Sequence, residues 1–244
     1  FLMIRRPPRS TRKESSAASD VYRDRNKMNQ NTIIWFRRDL RLYDNAALFH
    51  ALKDSNQVFP VFIFDIQILS KLKNKKDRRI EFILQSLAEI KKTLNENGSD
   101  LIVEMGDPEF LIPKLITEYK CNSLYINRDY EKYAHDRDQT ISKILLNKKV
   151  TTFTFKDQVL FESDEVLTQS NNPYTVFTPY KNNHIKRLNE QGIELYNCKN
   201  HKDNFAKFTS KALPSLGELG FEKTNLEELD LPTGTNGGKK LLEK

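Results

Sequence analysis

Four short stretches of this sequence concentrate side chains able to bind or react: Arg37-Arg38-Asp39-Leu40-Arg41-Leu42-Tyr43-Asp44-Asn45, Asp65-Ile66-Gln67, Gly106-Asp107 and Asn127-Arg128-Asp129-Tyr130-Glu131. Carboxylate, guanidinium and phenol groups in this mixture hold ligands by charge and hydrogen bond. Other common chemistries are not encoded. His50, His135, His184 and His201 are scattered, none in an H-E-x-x-H frame, so neither a hydrolytic triad nor a metal cluster is in view. The eight glycines fall into neither a G-x-G-x-x-G nor a G-x-x-x-x-G-K-[ST] pattern, so glycine-dependent phosphate cradles are absent. Cys121 and Cys198 lack C-x-x-C spacing and read as inert thiols of a protein of the cell interior, which sets the expected localisation as cytoplasmic.

The elements that carry these stretches are legible from periodicity. Ile33 to Phe36, Val58 to Phe64, Leu101 to Val103, Leu124 to Ile126 and Val150 to Phe155 are short β-branched or aromatic runs of the kind that strands buried on both faces require. Helical patterns alternate with them. Ile80, Ile83, Leu84, Leu87, Ile90 and Leu94 recur at three and four residues, with Gly98 as a stop. Asp107-Pro108 is a cap followed by a first-turn proline, Phe110, Leu111, Leu115 and Ile116 form the inner stripe, and Pro113 should kink that helix. Ile141, Ile144 and Leu145 mark a further helix with a cationic end at Lys148-Lys149. This alternation predicts an α/β fold: a doubly wound, Rossmann-like parallel sheet of five strands, helices on both faces, followed by an irregular interdomain linker. Ligands bind such sheets at the carboxyl ends of the strands, where the four polar stretches fall.

Charge narrows the partners. The 244 residues carry a net +7, but residues 1–27 hold eight Lys/Arg against three acids, leaving 32 basic and 30 acidic residues in the body. A near-neutral body is not a polyanion binder on charge alone. No apolar run approaches the roughly 18 residues of a membrane span. Residues 1–27 have no structural period, and the opening FLMIRRPPRST resembles a translated sequencing adapter; Met28 then stands before the first strand. The domain expectation is a disordered, non-native leader over 1–27, an α/β domain over 28–160, and a docking segment and linker over 161–244. In the last part Asn171 to Tyr174 reads as a turn, Tyr180 to Leu188 as a short helix, Gln191 to Lys211 as irregular, and Lys239 to Lys244 as the start of a helix, so that the chain looks truncated.

Trp35-Phe36-Arg37-Arg38-Asp39-Leu40-Arg41-Leu42-Tyr43-Asp44-Asn45 resembles the opening signature W-F-R-x-D-L-R-L-x-D-N of the DNA photolyase/cryptochrome family. Phe64 to Leu69, Asn127 to Ala134, Asn172 to Tyr180 and the linker Leu213 to Phe221 match the family in the same order. The resemblance implies a protein that uses light to split cyclobutane pyrimidine dimers in DNA, by electron transfer from reduced flavin adenine dinucleotide (FAD) to a flipped-out lesion. In the family, FAD and the lesion belong to a C-terminal helical domain outside these residues, so the chain alone is expected to lack repair activity, to reach damaged DNA only through the full-length protein, and to be a monomer. The α/β part binds an antenna chromophore in many members.

For that chromophore the resemblance favours a deazaflavin or a flavin over methenyltetrahydrofolate. Ile63, Phe64, Asp65, Arg79, Asp129 and Glu131 fall on the deazaflavin-binding pattern, whereas Tyr133 and Ala134 stand where folate-binding members carry an Asn-Glu pair. A planar tricyclic ring needs an apolar wall such as Phe64 and polar groups for its edge and hydroxyls. Structural roles compete for each residue. Arg37, Arg38, Asp39, Arg41 and Asp44 suit an ion-pair and capping network, Trp35 suits packing, Asp129 and Glu131 suit the start of a helix, and Arg79 suits a surface ion pair. Tyr174 to Tyr180 suits docking of the linker against the helical domain, with His184 in place of a tryptophan common in that segment. A cryptochrome photoreceptor and a stand-alone flavin- or nucleotide-binding module are the rival functions.

Overall fold

The computed structural model describes residues 30–243, so the leader expected at residues 1–27 and the final Lys244 lie outside the described residues. Five strands form one parallel sheet: β1 (Asn31–Phe36), β2 (Gln57–Asp65), β3 (Ile102–Gly106), β4 (Ser123–Asn127) and β5 (Thr151–Phe155), in the order β3-β2-β1-β4-β5. Strand order reverses between β1 and β4, where Ile34 stands beside Tyr125. That reversal is the switch point at which such sheets open a ligand crevice.

Burial follows strand position. β1, β2 and β4 are buried almost throughout, as their unbroken apolar runs require. The edge strands depart from that expectation: β5 is exposed or half-buried along its length and β3 is buried only at Ile102, because an edge strand has one neighbour and partial helix cover.

The helices in chain order are α1 (Ala46–Asp54), the single turn α2 (Ile66–Leu69), α3 (Arg78–Asn95), α4 (Pro108–Glu118), α5 (Lys132–Asn147), α6 (Phe177–Gln191) and α7 (Gly234–Leu242). Each start on the sheet has a local cause. Asn45, Asp65, Asp77 and Asp107 accept a first-turn backbone N–H of α1 to α4 with their side chains. Gly98, at φ 71°, lets Ser99 N–H close back on the Leu94 carbonyl and end α3. α1 and α3 pack with Ile34 and Phe36 on one face, and α4 and α5 with Ile33 and Trp35 on the other. α4 runs through Pro113 from Pro108 to Glu118. One assignment within it is corrected: Phe110 is 71% exposed, and Ile112 takes the inward position beside Leu111, Leu115 and Ile116.

Beyond β5 the chain is more ordered than its composition suggests. α6 is longer than the predicted 180–188 segment, and the polar stretch after it contains a 3-10 turn, Cys198–Asn204. Ala206 N–H donates to the Val58 carbonyl at 2.9 Å, and Cys198, Phe205, Leu219, Phe221 and Leu226 are buried. Cys198, Phe205, Leu219 and Phe221 join the α1/α3 core. α7 lies against α3.

Candidate functional site

The signature after β1 is first of all a scaffold. Asp39 is buried, and its carboxylate accepts from Arg37 N–H at 2.8 Å and from the Asn127 side-chain amide at 2.6 Å. The Asn127 side chain also donates to Asn45 Oδ1 at 2.9 Å and accepts from Ala47 N–H at 2.9 Å. β1, β4 and the start of α1 are thereby locked together at the switch point. Arg41 binds both carboxylate oxygens of Asp157 at 2.9 Å. The predicted structural role of Arg37, Asp39 and Arg41 is what these contacts show.

On the β2 side of the switch point lies a cavity of about 740 Å³. Its lining includes all six residues nominated from the sequence, Ile63, Phe64, Asp65, Arg79, Asp129 and Glu131. The walls are mainly apolar: Phe62, Ile63 and Phe64 from β2, Ile68 and Leu69 from α2, Leu72 from the turn after it, Ile80 and Ile83 from α3, and Leu226, Leu229 and Leu231 from the segment before α7.

Asp65 is the pivot of the polar end. As the last residue of β2 it caps α2 through Oδ1, which accepts Gln67 N–H at 2.9 Å. Its Oδ2 accepts the Tyr133 hydroxyl at 2.7 Å and Arg137 Nη1 at 3.3 Å. Burial, and then the Asp65 carboxylate, push the Tyr133 pKa up, so the phenol stays protonated and donates. Arg137 in turn donates to Asp138 Oδ1 at 3.0 Å, and the other oxygen of Asp138 takes Arg37. Asp65, Arg137, Asp138 and Arg37 thus form a row of alternating charge. The guanidinium carbons of Arg137 and Arg37 lie 4.7 and 5.1 Å from the centre of the Trp35 ring, which is itself buried.

The other nominated residues stand at the mouth. Arg79 is 72% exposed and holds Asp77, the α3 cap, with both Nε and Nη2. That contact draws the Asp77 carboxylate below its ordinary pKa. Asp129 and Glu131 converge on Arg38, at 3.2 and 2.5 Å. Glu131 is the N-cap residue of α5 and Asp129 Oδ1 accepts its N–H at 3.2 Å, so both acids stand at the helix start as the sequence suggested; Glu131 makes no cap hydrogen bond with its side chain, and the two carboxylates share Arg38 instead.

Sequence reasoning did not nominate Arg137, and it noted Tyr133 only as a mismatch to folate. A signal for both was present: Tyr133, Arg137, Ile141 and Leu145 recur at four-residue intervals on one stripe of α5, so Arg137 had to share the buried face of Ile141 and Leu145. The three leucines of the segment before α7 carried no such signal.

Residues 32–199 match the family model of DNA photolyase. The chain belongs to the DNA photolyase family. It is 31% identical over 195 residues to a deoxyribodipyrimidine photo-lyase of Synechococcus, covering 78% of this chain and 40% of the relative. The structure of a bacterial class III photolyase from Agrobacterium tumefaciens superposes with a TM-score of 0.70 at 25% identity, over 88% of this chain and 44% of that one. An archaeal photolyase from Sulfolobus tokodaii, described with two FAD molecules and the implication of a novel light-harvesting cofactor, superposes with a TM-score of 0.52 at 30% identity, over 63% of this chain and 34% of that one. The chain spans less than half the length of these relatives, and its five-stranded parallel sheet is the N-terminal α/β domain of the photolyases. Among the described residues no helix is long and apolar enough to cross a membrane, and no group of three or more His, Cys, Asp or Glu could hold a metal ion.

Proposed function

We propose that this α/β domain holds a planar antenna chromophore, of deazaflavin or flavin type, in the cavity at the carboxyl ends of β1, β2 and β4, and that it serves a DNA photolyase that repairs cyclobutane pyrimidine dimers. The observation that carries this reading is the convergence of Ile63, Phe64, Asp65, Arg79, Asp129 and Glu131 on one largely apolar cavity. Its volume of about 740 Å³ is within the 300–1,000 Å³ usual for cofactor sites. A bound chromophore of this class supplies light absorption and passes excitation on to FAD, in the helical domain that the family resemblance implies.

The protein's part is to bind and orient. Phe64, Ile68, Leu69 and Ile83 offer an apolar wall for a ring system. The Asp65, Tyr133 and Arg137 cluster fixes the polar base in one geometry, because each member is already hydrogen-bonded or ion-paired to its neighbour. Arg38, Asp129 and Glu131 place charged groups at the mouth, where hydroxyls of a ribityl chain would lie. A folate fits less well, since the Tyr133 hydroxyl is committed to Asp65 and Ala134 offers no polar side chain. The flavin in the light-harvesting role suggested for the Sulfolobus relative points the same way.

Trp35, the chain's one tryptophan, lines the cavity and makes the test direct. Titration with riboflavin, flavin mononucleotide (FMN) or 5-deazariboflavin should quench Trp35 emission saturably. Replacing Ile68, which lines the cavity and is 45% exposed, with Asp should abolish the quenching while circular dichroism retains the α/β signature. Saturable quenching by methenyltetrahydrofolate, with none by the flavins, would replace this reading with the folate one.

A further inference from the structure

The sheet alone does not enclose the cavity. One of its walls consists of Leu226, Leu229 and Leu231, which lie far downstream of β5 in the segment leading into α7. This segment is pinned at both ends to α3. Upstream, the N–H and hydroxyl of Thr224 both donate to Glu81 Oε2, at 2.9 and 2.5 Å, and Arg78 donates to Asn225 Oδ1 through Nε and Nη2 at 3.0 and 2.8 Å. Glu81 is a buried carboxylate whose hydrogen bonds come from the segment itself. Downstream, Thr233 donates to Gln85 at 2.9 Å and Asn236 N–H to Glu89 at 3.2 Å. Gly237 approaches Pro232 so closely that a Cβ there would meet the Pro232 carbonyl carbon at 2.4 Å.

Between the pins the hold is weaker and mostly apolar. Leu226 is buried, but Leu229 and Leu231 remain 46% and 45% exposed although both line the cavity. Asp230 between them has φ 47°, a left-handed conformation that aspartate tolerates at some cost. Two half-covered leucines facing an apolar cavity are a surface that a planar occupant would finish covering. Every square ångström so covered stabilises the occupant and the segment together.

We propose that residues 225–231 form a strap over the chromophore cavity, and that docking of the strap and occupancy of the cavity stabilise each other. The segment leading out of the domain thereby registers whether the antenna site is filled. The inference rests on the chromophore reading above, and linkage makes it quantitative. An occupant that binds only the docked form, present at 100 times its dissociation constant, lowers the opening equilibrium of the strap about a hundredfold. Reciprocally, truncating Leu229 or Leu231 to Ala should weaken binding on the order of tenfold each.

The experiment is hydrogen exchange on the full chain with and without FMN, binding being read separately from Trp35 emission. FMN should bind and slow amide exchange in residues 225–231 by about a hundredfold, leaving β1 and β4 unchanged. Thr224→Val, which lies outside the cavity, should speed strap exchange in the free protein, and saturating FMN should restore protection. L229A/L231A, at half-exposed positions, should melt near the parent temperature yet bind FMN about a hundredfold more weakly. Quenching of Trp35 by FMN with no change in strap exchange would overturn the strap and leave the chromophore reading standing. Failure of FMN and 5-deazariboflavin to quench Trp35 at all would overturn both.

Discussion

Replacing Arg137 with methionine should lower the stability of this protein by about 3–5 kcal/mol, the range for removing one partner of a buried ion pair. Arg137 and Asp65 are both only 5% exposed. The guanidinium serves Asp65 Oδ2 at 3.3 Å and Asp138 Oδ1 at 3.0 Å, and packs 5.5 Å from the Tyr133 ring centre. Methionine keeps the unbranched stem and loses the charge. Asp65 is then left with the Tyr133 hydroxyl and Gln67 N–H, and Asp138 with Arg37. For a chain of this size each kcal/mol moves the melting temperature by roughly 2–4 °C, so the midpoint should fall by about 6–20 °C. Asp65→Asn removes the orphaned charge while keeping an oxygen to cap α2. The R137M/D65N double variant should therefore recover about 2 kcal/mol or more relative to additivity. Urea unfolding followed by Trp35 emission reports on this site from inside it. A cost below about 1 kcal/mol for R137M, together with additive energies in the double variant, would mean that Asp65 is solvated and that the polar end of the cavity is not a desolvated ion-pair row.

Two further outcomes test the parts of the chain past β5. Burial raises the Asp100 pKa, but Lys91 Nζ and the N–H groups of Ser210 and Leu101 outweigh it and hold the carboxyl below its ordinary 3.8. A depressed folded pKa contributes stability that is complete above the unfolded value and lost as pH falls through the folded one. The parent should therefore lose stability more steeply than Asp100→Asn on acidification below about pH 4. Parallel melting curves across that range would refute the assignment. Phe205→Ala should cost about 3–5 kcal/mol in urea unfolding, because Phe205 is 7% exposed within the α1/α3 core. A cost under about 1 kcal/mol would show that the 198–206 stretch merely rests on the surface.

What the sequence determined by itself is whatever depends on local chemistry. Asn45, Asp77 and Asp107 start helices because their side chains reach N–H groups two or three residues on, a distance the chain sets without tertiary help. The unbroken apolar runs of β1, β2 and β4 announced strands covered on both faces, and alternation with helical stripes implied parallel crossovers. This placed the ligand crevice at the strand ends, and the resemblance to the deazaflavin-binding pattern, not local chemistry, singled out six residues that line its wall. The rest depended on contacts between residues far apart. Edge position left β5 exposed despite Phe153 and Phe155, because the number of neighbours a strand has is a property of the sheet. Arg137 became a buried member of a charged row only because Asp65, 72 residues earlier, ends β2 beside it. Phe205 and Leu226 lie in polar, irregular sequence without period, and only the return of the chain over β2 and α3 buries them. Local pattern can state which face of an element is apolar; which distant segment covers that face is decided by the packing of the whole chain.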